Sequence, residues 1–256
     1  MKRYVYKLQR FLAKRKGLVK AIIKLRNQCN IIIGLSLAPD HIFEATGEAD
    51  FLQTYKGKVK TFFDIGANMG EWTEEMLKLN PAAKGILMEP NPDCMQTLRT
   101  KFSTNENINI LEVACSEQPG RASFFAEHGG GETSSLSNAG TYGARKIDVE
   151  VTTIDRVVTE RNISNIDYLK VDVEGFDMHV LKGAKNTLEK KMIDTIQFEY
   201  NRTWRNNGST LTYAFAYLQQ FGYKTYCLKK SGLTAFDPES YMEYFAYSNF
   251  IAIRQR

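Results

Sequence analysis

The first 39 residues of this 256-residue chain contain no aspartate or glutamate, yet they hold ten Lys/Arg. The overall net charge of +5 therefore belongs to this arm, since the remaining residues carry 24 basic against 29 acidic side chains. A body with that balance has no general footprint for nucleic acid, and none is expected as a partner. The four cysteines (Cys29, Cys94, Cys115, Cys227) show no C-x-x-C spacing, and the three histidines (His41, His128, His179) form no zinc pattern. This excludes a disulfide scaffold or a zinc module and reads as reduced thiols in a cytoplasmic protein. No apolar run escapes charge for long enough to be a secretory signal or a membrane span. Internal repeats and low-complexity tracts are missing as well. What remains is a chain that is 43% hydrophobic and 12% aromatic, enough for a full core. The expected organisation is an arm over residues 1–39 and one domain over residues 40–256.

The most informative stretch is Thr61-Phe62-Phe63-Asp64-Ile65-Gly66-Ala67-Asn68-Met69-Gly70-Glu71-Trp72. An apolar run breaks into a glycine-rich turn, and a helical pattern follows at Trp72, Met76, Leu77 and Leu79. Strand–loop–helix units of this kind bind nucleotide-like ligands at the strand's carboxyl end. Gly66 and Gly70 allow positive φ and close approach, so the loop N–H groups would face a carboxylate or phosphate. The second glycine of a dinucleotide fingerprint is absent: Asn68 stands there, and the third falls on Glu71. The form D-x-G-x-N-x-G, with Asp64, Gly66, Asn68 and Gly70, instead resembles the first motif of class I S-adenosylmethionine-dependent methyltransferases. The next strand, Gly85–Met88, closes on Glu89, 25 residues after Asp64. An acid at this strand end accepts hydrogen bonds from ribose hydroxyls in nucleoside-binding α/β folds.

A third strand is expected over Asn107–Ala114, turning at residues 115–120 into Arg121–Phe125 as a hairpin. The loop at Ser116 would sit beside the adenine. His128 to Leu136 is too rich in Gly and Ser for an element interior, and reads as a lid or a plain connection. In Ile166–Asp177 an apolar strand ends in acids and a glycine, with helix Met178–Leu188 after it. Lys170, Asp172 and Glu174 alternate, so an extended strand would point them to one side. Capping of the following helix is the plainer role for the two acids. Strand Ile193–Tyr200 also ends in an acid, Glu199. Helix Leu211–Phe221 and strands Gly222–Leu228 and Ser248–Ile253 complete the pattern, the last two as an antiparallel pair.

D-I-G-A-N-M-G, M-E-P-N-P, A-C-S-E-Q-P-G and Y-L-K-V-D-V-E-G-F-D-M-H-V-L-K-G-A together resemble the FkbM family of methyltransferases, over about residues 58–254. The resemblance implies an α/β fold with a seven-stranded, mostly parallel Rossmann-like sheet and helices on both faces. It implies S-adenosyl-L-methionine as methyl donor and a hydroxyl as acceptor, on a glycan, a glycolipid or a related sugar. A small-molecule metabolite is the alternative acceptor, and an inactive membrane-associating module the reading from another class. Asp64, Gly66, Asn68, Gly70, Glu89 and Ser116 are the expected cofactor contacts, and Asp172, Glu174 and Glu199 the acids for catalysis. A sugar hydroxyl is a poor acid, so a carboxylate base or an acidifying metal is useful. A metal-free base is the expectation, with Mg²⁺ on Asp172, Glu199 and the Asn201 oxygen as the rival.

The arm spaces Tyr4, Val5, Leu8, Phe11 and Leu12, then Leu18, Val19, Ile22 and Ile23, by threes and fours, as amphipathic helices do. Two readings stand for it: a lid or dimer element packed on the domain, or peripheral contact with an anionic membrane surface.

Overall fold

The computed structural model describes residues 2–37, 46–128, 134–136 and 144–255. The first informative stretch folds as expected: strand β1 (Thr61–Ile65), the glycine loop, then a helix over Glu71–Leu79. Strands β2 (Lys84–Met88) and β3 (Ile108–Leu111) follow in parallel on one side of β1. A short strand β4 (Ala114–Cys115) then leaves the main sheet for a smaller one, with β5 (Gly120–Ala126) and β6 (Arg145–Thr152). Strands β7 (Ile166–Val171) and β8 (Ile193–Tyr200) are parallel to β1 on its other side. The chain closes with β9 (Tyr223–Lys229), β10 (Gly232–Ala235) and β11 (Ser248–Arg254).

The main sheet has eight strands in the order β10-β9-β11-β8-β7-β1-β2-β3, not the seven expected. β11 lies antiparallel between β8 and β9, as the final pair predicted. The extra strand is β10, a four-residue edge that turns back on β9. It has no fully buried residue, so no apolar alternation announces it.

Period-two alternation places successive side chains of the central strands on opposite faces. Phe62, Leu87, Tyr168 and Ile251 pack with Phe51, Leu52, Trp72, Met76, Met95 and Leu98. These partners come from helices α3 (Glu48–Gln53), α4 (Glu71–Leu79) and α5 (Pro92–Lys101). Phe63, Ile65, Met88, Val171, Phe198 and Phe250 face the other way, onto Ile154, Val157, Val180, Leu181 and Leu218. That layer consists of α6 (Ile154–Glu160), α7 (Asp177–Lys182), α8 (Lys185–Glu189) and α9 (Leu211–Gln220). With both faces covered, the central strands are apolar almost throughout.

Two local expectations differ from the structure. The predicted turn at residues 115–120 does not pair its own flanks, because β6 lies between β4 and β5. β5 pairs antiparallel with β6 instead; the sequence pattern predicts only a short β segment over Val149–Thr153, whereas β6 begins at Arg145. The helix after β7 is two short ones, broken near Gly183, where an added Cβ would lie 2.1 Å from the Ser116 carbonyl oxygen. The approach of that loop leaves no room for a side chain there.

The arm forms helices α1 (Lys2–Ala13) and α2 (Lys16–Leu37). Leu37, in the last turn of α2, is 2% exposed and belongs to the core. The sequence pattern before β1 predicts a short helix over Phe43–Tyr55; α3 covers only Glu48–Gln53 of it, after Gly47 in the left-handed region, and residues 43–45 lie outside those described. No helix among the described residues is long and apolar enough to cross a membrane.

The junction of β1 with β7 is the tightest point of the fold near the crevice. Gly66 has φ +80, and an added Cβ would lie 1.9 Å from the Asp172 carbonyl oxygen; Gly57 has φ +71 but open space around it. Gly57→Ala then incurs only the left-handed backbone penalty, about 1–2 kcal/mol. Gly66→Ala adds a backbone clash and should lose roughly 3 kcal/mol or more. Urea unfolding of the two variants side by side checks the difference.

Candidate active site

At β1 the strand order reverses direction, with β2 and β3 on one side and β7 and β8 on the other. Crevices outside the carboxyl ends of strands at such a point are where open α/β sheets take ligands. A cavity of about 390 Å³ opens there, lined by the β1 loop, the ends of β2, β7 and β8, and the small sheet. Its volume lies within the range of small-molecule sites.

The glycine loop is held from below. The Gly66 and Ala67 N–H groups both donate to the Met88 carbonyl, at 2.9 and 3.2 Å, and Gly70 N–H donates to Ala67 O. The first two tie the loop to β2 and the third closes the loop on itself, so of these loop N–H groups the one that faces a carboxylate is that of Asn68. Asn68, at φ 46, donates its N–H to Glu89 Oε2 at 2.9 Å. Gly70 lies outside the cavity wall; as the residue before α4 it faces Leu98 of α5 and Phe102 just after that helix. Asp64 is also outside the wall, fully buried beneath the loop. Its Oδ2 accepts from Thr73 Oγ1 at 2.6 Å, locking β1 to α4.

On the β2 side, Glu89 lies in the wall, 5% exposed. It accepts from Asn68 N–H and, through Oε1, from Asn91 N–H at 2.8 Å. Burial pushes its pKa up to about 7, against the pull of the two N–H groups. Val113, Ala114, Cys115, Phe124 and Leu136 make the wall apolar nearby. Ser116 is not in that wall; its carbonyl turns to Gly183, and the preceding residues face the cavity in its place. The Cys94 and Cys115 thiols line the site, but burial raises both to about 12, so neither is a nucleophile.

On the β7 side, Lys170 points into the wall from the strand interior. Its Nζ donates to Asp172 Oδ2 at 2.9 Å, lies 3.9 Å from Asp64 Oδ1, and stands 6.0 Å over the Trp72 ring. Burial alone would lower its pKa, but Asp172, Asp64 and Glu48 raise it, so it stays an ammonium. Glu48, from α3, accepts from Gln197 Nε2 at 2.5 Å and from Asn249 Nδ2 at 2.9 Å. Burial raises its pKa, and Lys170 opposes the rise. Asn249 also donates to the hydroxyl of Tyr247, another wall residue. Sequence reading missed Glu48 and Tyr247. Glu48 is one of several acids before β1 and stands in no motif, and its partner Asn249 lies 201 residues further on.

Asp172, Glu174 and Glu199 do meet, each offering a carboxylate oxygen within 4.8 Å of the others. They meet by a turn and not by strand alternation, since β7 ends at Val171 and Glu174 has φ 53. Neither Asp172 nor Glu174 caps α7, which has no side-chain cap. Asp177 takes the nearest such role, accepting from Gly175 N–H at 3.1 Å. Asn201 Nδ2 donates to Glu199 Oε1 at 2.5 Å and to Glu174 Oε2 at 3.1 Å. Its Oδ1 accepts from the Thr203 N–H at 2.9 Å and from the Thr203 hydroxyl. A backbone N–H can only donate, which settles the amide's orientation. Burial first, then Asp172, Glu174 and Asp177, pushes the Glu199 pKa well above its ordinary value, and burial takes Asp177 to about 8.

The small sheet covers the cavity. Asn91 Nδ2 donates to the Glu127 carbonyl at 3.1 Å and to Ser134 Oγ at 3.3 Å. Ser135 Oγ donates to the Glu174 carbonyl at 3.0 Å, so residues 134–136 bridge the two acid-bearing sides. The rest of the Gly/Ser-rich stretch, residues 129–133, lies outside the described residues.

The family model described as "Methyltransferase FkbM domain" matches residues 64–225. The 2-O-methyltransferase NoeI of Sinorhizobium fredii is 28% identical over 141 residues, covering 50% of this chain and 58% of that protein. Methyltransferase sdnD of Sordaria araneosa is 26% identical over 176 residues, covering 57% of this chain and 66% of that protein. The crystal structure of Methyltransferase FkbM from Methylobacillus flagellatus KT aligns with a TM-score of 0.49 at 16% identity, over 75% of this chain and 43% of that one. The family match begins on the buried Asp64 and runs past Glu89, the Asp172–Glu174 turn and Glu199, and it takes in more than half of the chain. The chain belongs to the FkbM methyltransferase family.

Proposed function

We propose that this chain is an S-adenosylmethionine-dependent O-methyltransferase whose acceptor is a hydroxyl of a glycan, a glycolipid or a related sugar. The observation that carries the reading is the pairing, across one cavity, of Glu89 with the Asp172–Glu174–Glu199 cluster. The cofactor would supply an activated methyl group. Glu89, stapled by two N–H groups, would accept its ribose hydroxyls, and the apolar wall of Val113 to Cys115 with Phe124 would take its ring. Gly66 and Asn68 shape that cradle. Asp64 and Gly70 support it from outside the wall.

On the other side an acceptor hydroxyl must be aligned and must lose its proton. Glu199, with its raised pKa, holds a proton and orients the acceptor by donating a hydrogen bond. Asp172 or Glu174 takes the proton. Asp172 shares its charge with Lys170, and Glu174 with the Asn201 amide. A divalent ion fits the donor set poorly. Asn201 presents an NH₂ to two of the three carboxylates and turns its oxygen to Thr203. The amide oxygen is thus not offered as a ligand, and the amide donor occupies carboxylate lone pairs that a cation would use. Transfer to a hydroxyl oxygen is supported by NoeI being named a 2-O-methyltransferase.

Two expected outcomes test this. Hydroxyl binding uses the ionised form of Glu89, whose pKa burial raises to about 7. Affinity for S-adenosylhomocysteine should be flat above that pH and weaken about tenfold per pH unit below it, as one proton must be released. Glu89→Gln should bind weaker by roughly 1–3 kcal/mol and lose the pH dependence. Calorimetry between pH 5.5 and 8.5 decides this, and identical pH profiles for both proteins would remove Glu89 from the cradle.

For the acids, full methyl transfer in EDTA is expected, with no gain from Mg²⁺ or Mn²⁺. Asp172→Asn or Glu174→Gln, whichever is the base, should drop kcat by about 10²–10⁴-fold. Glu199→Gln should chiefly raise KM for the acceptor. Labelled donor with an extract of lipid-linked and capsular glycans, followed by mass analysis, identifies the acceptor class. Label on a small-molecule metabolite alone would overturn the sugar reading, and loss of activity in EDTA would overturn the metal-free one.

A further inference from the structure

The described residues include fifteen exposed large apolar side chains, and twelve of them lie between Tyr4 and Leu35. In α1, Tyr4, Val5, Leu8 and Phe11 share one face, each at least half exposed, while Lys2, Arg3, Lys7 and Arg10 turn elsewhere. α1 has no buried residue at all. In α2, Leu18, Ile22, Leu25 and Ile32 repeat the pattern, and all four are exposed. Burial in α2 begins only at Gly34 and Leu37. There the helix is fastened. An added Cβ on Gly34 would lie 2.6 Å from the Cβ of Ala246, and Leu37 joins the core. The fastening is one residue from Tyr247 in the cavity wall.

We infer that α1 and α2 form a docking surface for an anionic lipid bilayer, lying in the headgroup layer with their apolar faces down. Three features of the arm select that occupant. Its apolar face needs an apolar bed, which a nucleic acid backbone does not provide. Its ten Lys/Arg, with no acid among the first 39 residues, would repel the same surface of a second copy. The spacing of Leu18, Ile22, Leu25 and Ile32 would suit a coiled coil, but the flanking Lys20, Lys24 and Arg26 have no acids to pair with in a like helix. An anionic bilayer meets both demands, taking the apolar face into its acyl boundary and the bases at its phosphates. Lys and Arg stems lie along apolar surface while their charges reach the headgroups, and tyrosines such as Tyr4 and Tyr6 suit the interface. With the root beside Tyr247, docking holds the cavity close to the lipid surface. That consequence rests on the acceptor reading above, since it favours an acceptor carried by lipid; the docking itself does not.

The full-length protein is floated with vesicles of phosphatidylcholine alone and of phosphatidylcholine with phosphatidylglycerol. Binding is expected to the second kind and to weaken as salt rises, because screening shortens the reach of the bases. Leu8→Glu with Phe11→Glu, and separately Lys7→Glu with Arg10→Glu, should each weaken it by about tenfold or more. Thermal stabilisation by S-adenosylhomocysteine should be unchanged in both variants, which shows that the domain is folded and separates this test from that of the methyltransferase reading. Equal binding to both vesicle types, or binding unaffected by either variant, overturns the proposal. So does absence of vesicle binding, whether sedimentation then shows a monomer, a dimer that Phe11→Glu dissolves, or RNA held by the bases.

Discussion

The buried Lys170 ammonium is the charge on which the crevice depends. Strand β7 carries it beneath the glycine loop, where it meets Asp172 from its own strand's exit, Asp64 from β1 and Glu48 from α3. Burying that many carboxylates without a cation would force several of them to protonate. Burying the lysine without them would force it to give up its proton. Each makes the other's burial tolerable, and the Trp72 ring closes the space above. Such a cluster adds little net stability over an apolar core. What it does is set geometry. Three elements distant in sequence are held in one register, with Asp172 N–H bonded to Ile65 O at 2.9 Å beside the Gly66 turn.

From that centre the crevice divides by environment. On the β2 side Glu89 is surrounded by backbone donors and apolar wall, so its proton affinity sits near neutrality. On the β8 side Glu199 sits among other acids with one amide donor, and burial with like-charge repulsion raises its proton affinity. Chemically similar side chains thereby meet different surroundings within one cavity. In the proposed reaction this division would serve proton removal beside the cofactor, with one carboxylate to hold hydroxyls, one to donate and one to accept.

The small sheet is a fold departure with a consequence for the site. Because β6 inserts between β4 and β5, the segment after β3 becomes a cover, not a hairpin at the sheet's edge. Its contacts are specific: Asn91 reaches Glu127 and Ser134, and Ser135 reaches the Glu174 carbonyl. Residues on either side of the cavity are thus linked above it as well as below. Pressure of the same segment on Gly183 breaks the helix after β7 in two.

The parts legible in sequence were those written in local periodicity and short motifs. Apolar runs closing on Asp64, Glu89 and Glu199 marked strands, because a buried parallel strand must be apolar to its end and a polar residue can emerge only where the crevice opens. Gly66 stood out because positive φ and close backbone approach leave few alternatives. The meeting of Asp172, Glu174 and Glu199 followed from strand order, although the route by a left-handed turn at Glu174 did not. Tertiary structure alone decided the rest. Glu48 and Asn249 find each other across 201 residues, and no window of sequence encodes such a contact. Asp64 and Ser116 sit in plausible positions, yet neither is in the cavity wall: Asp64 is bonded to Thr73 beneath the loop, and the Ser116 carbonyl lies against Gly183. β10 exists because β9 offers an edge, not because its four residues prefer a strand. Local pattern determines which segments can bury a face; which buried polar groups become partners depends on the complete three-dimensional set of donors and acceptors around them.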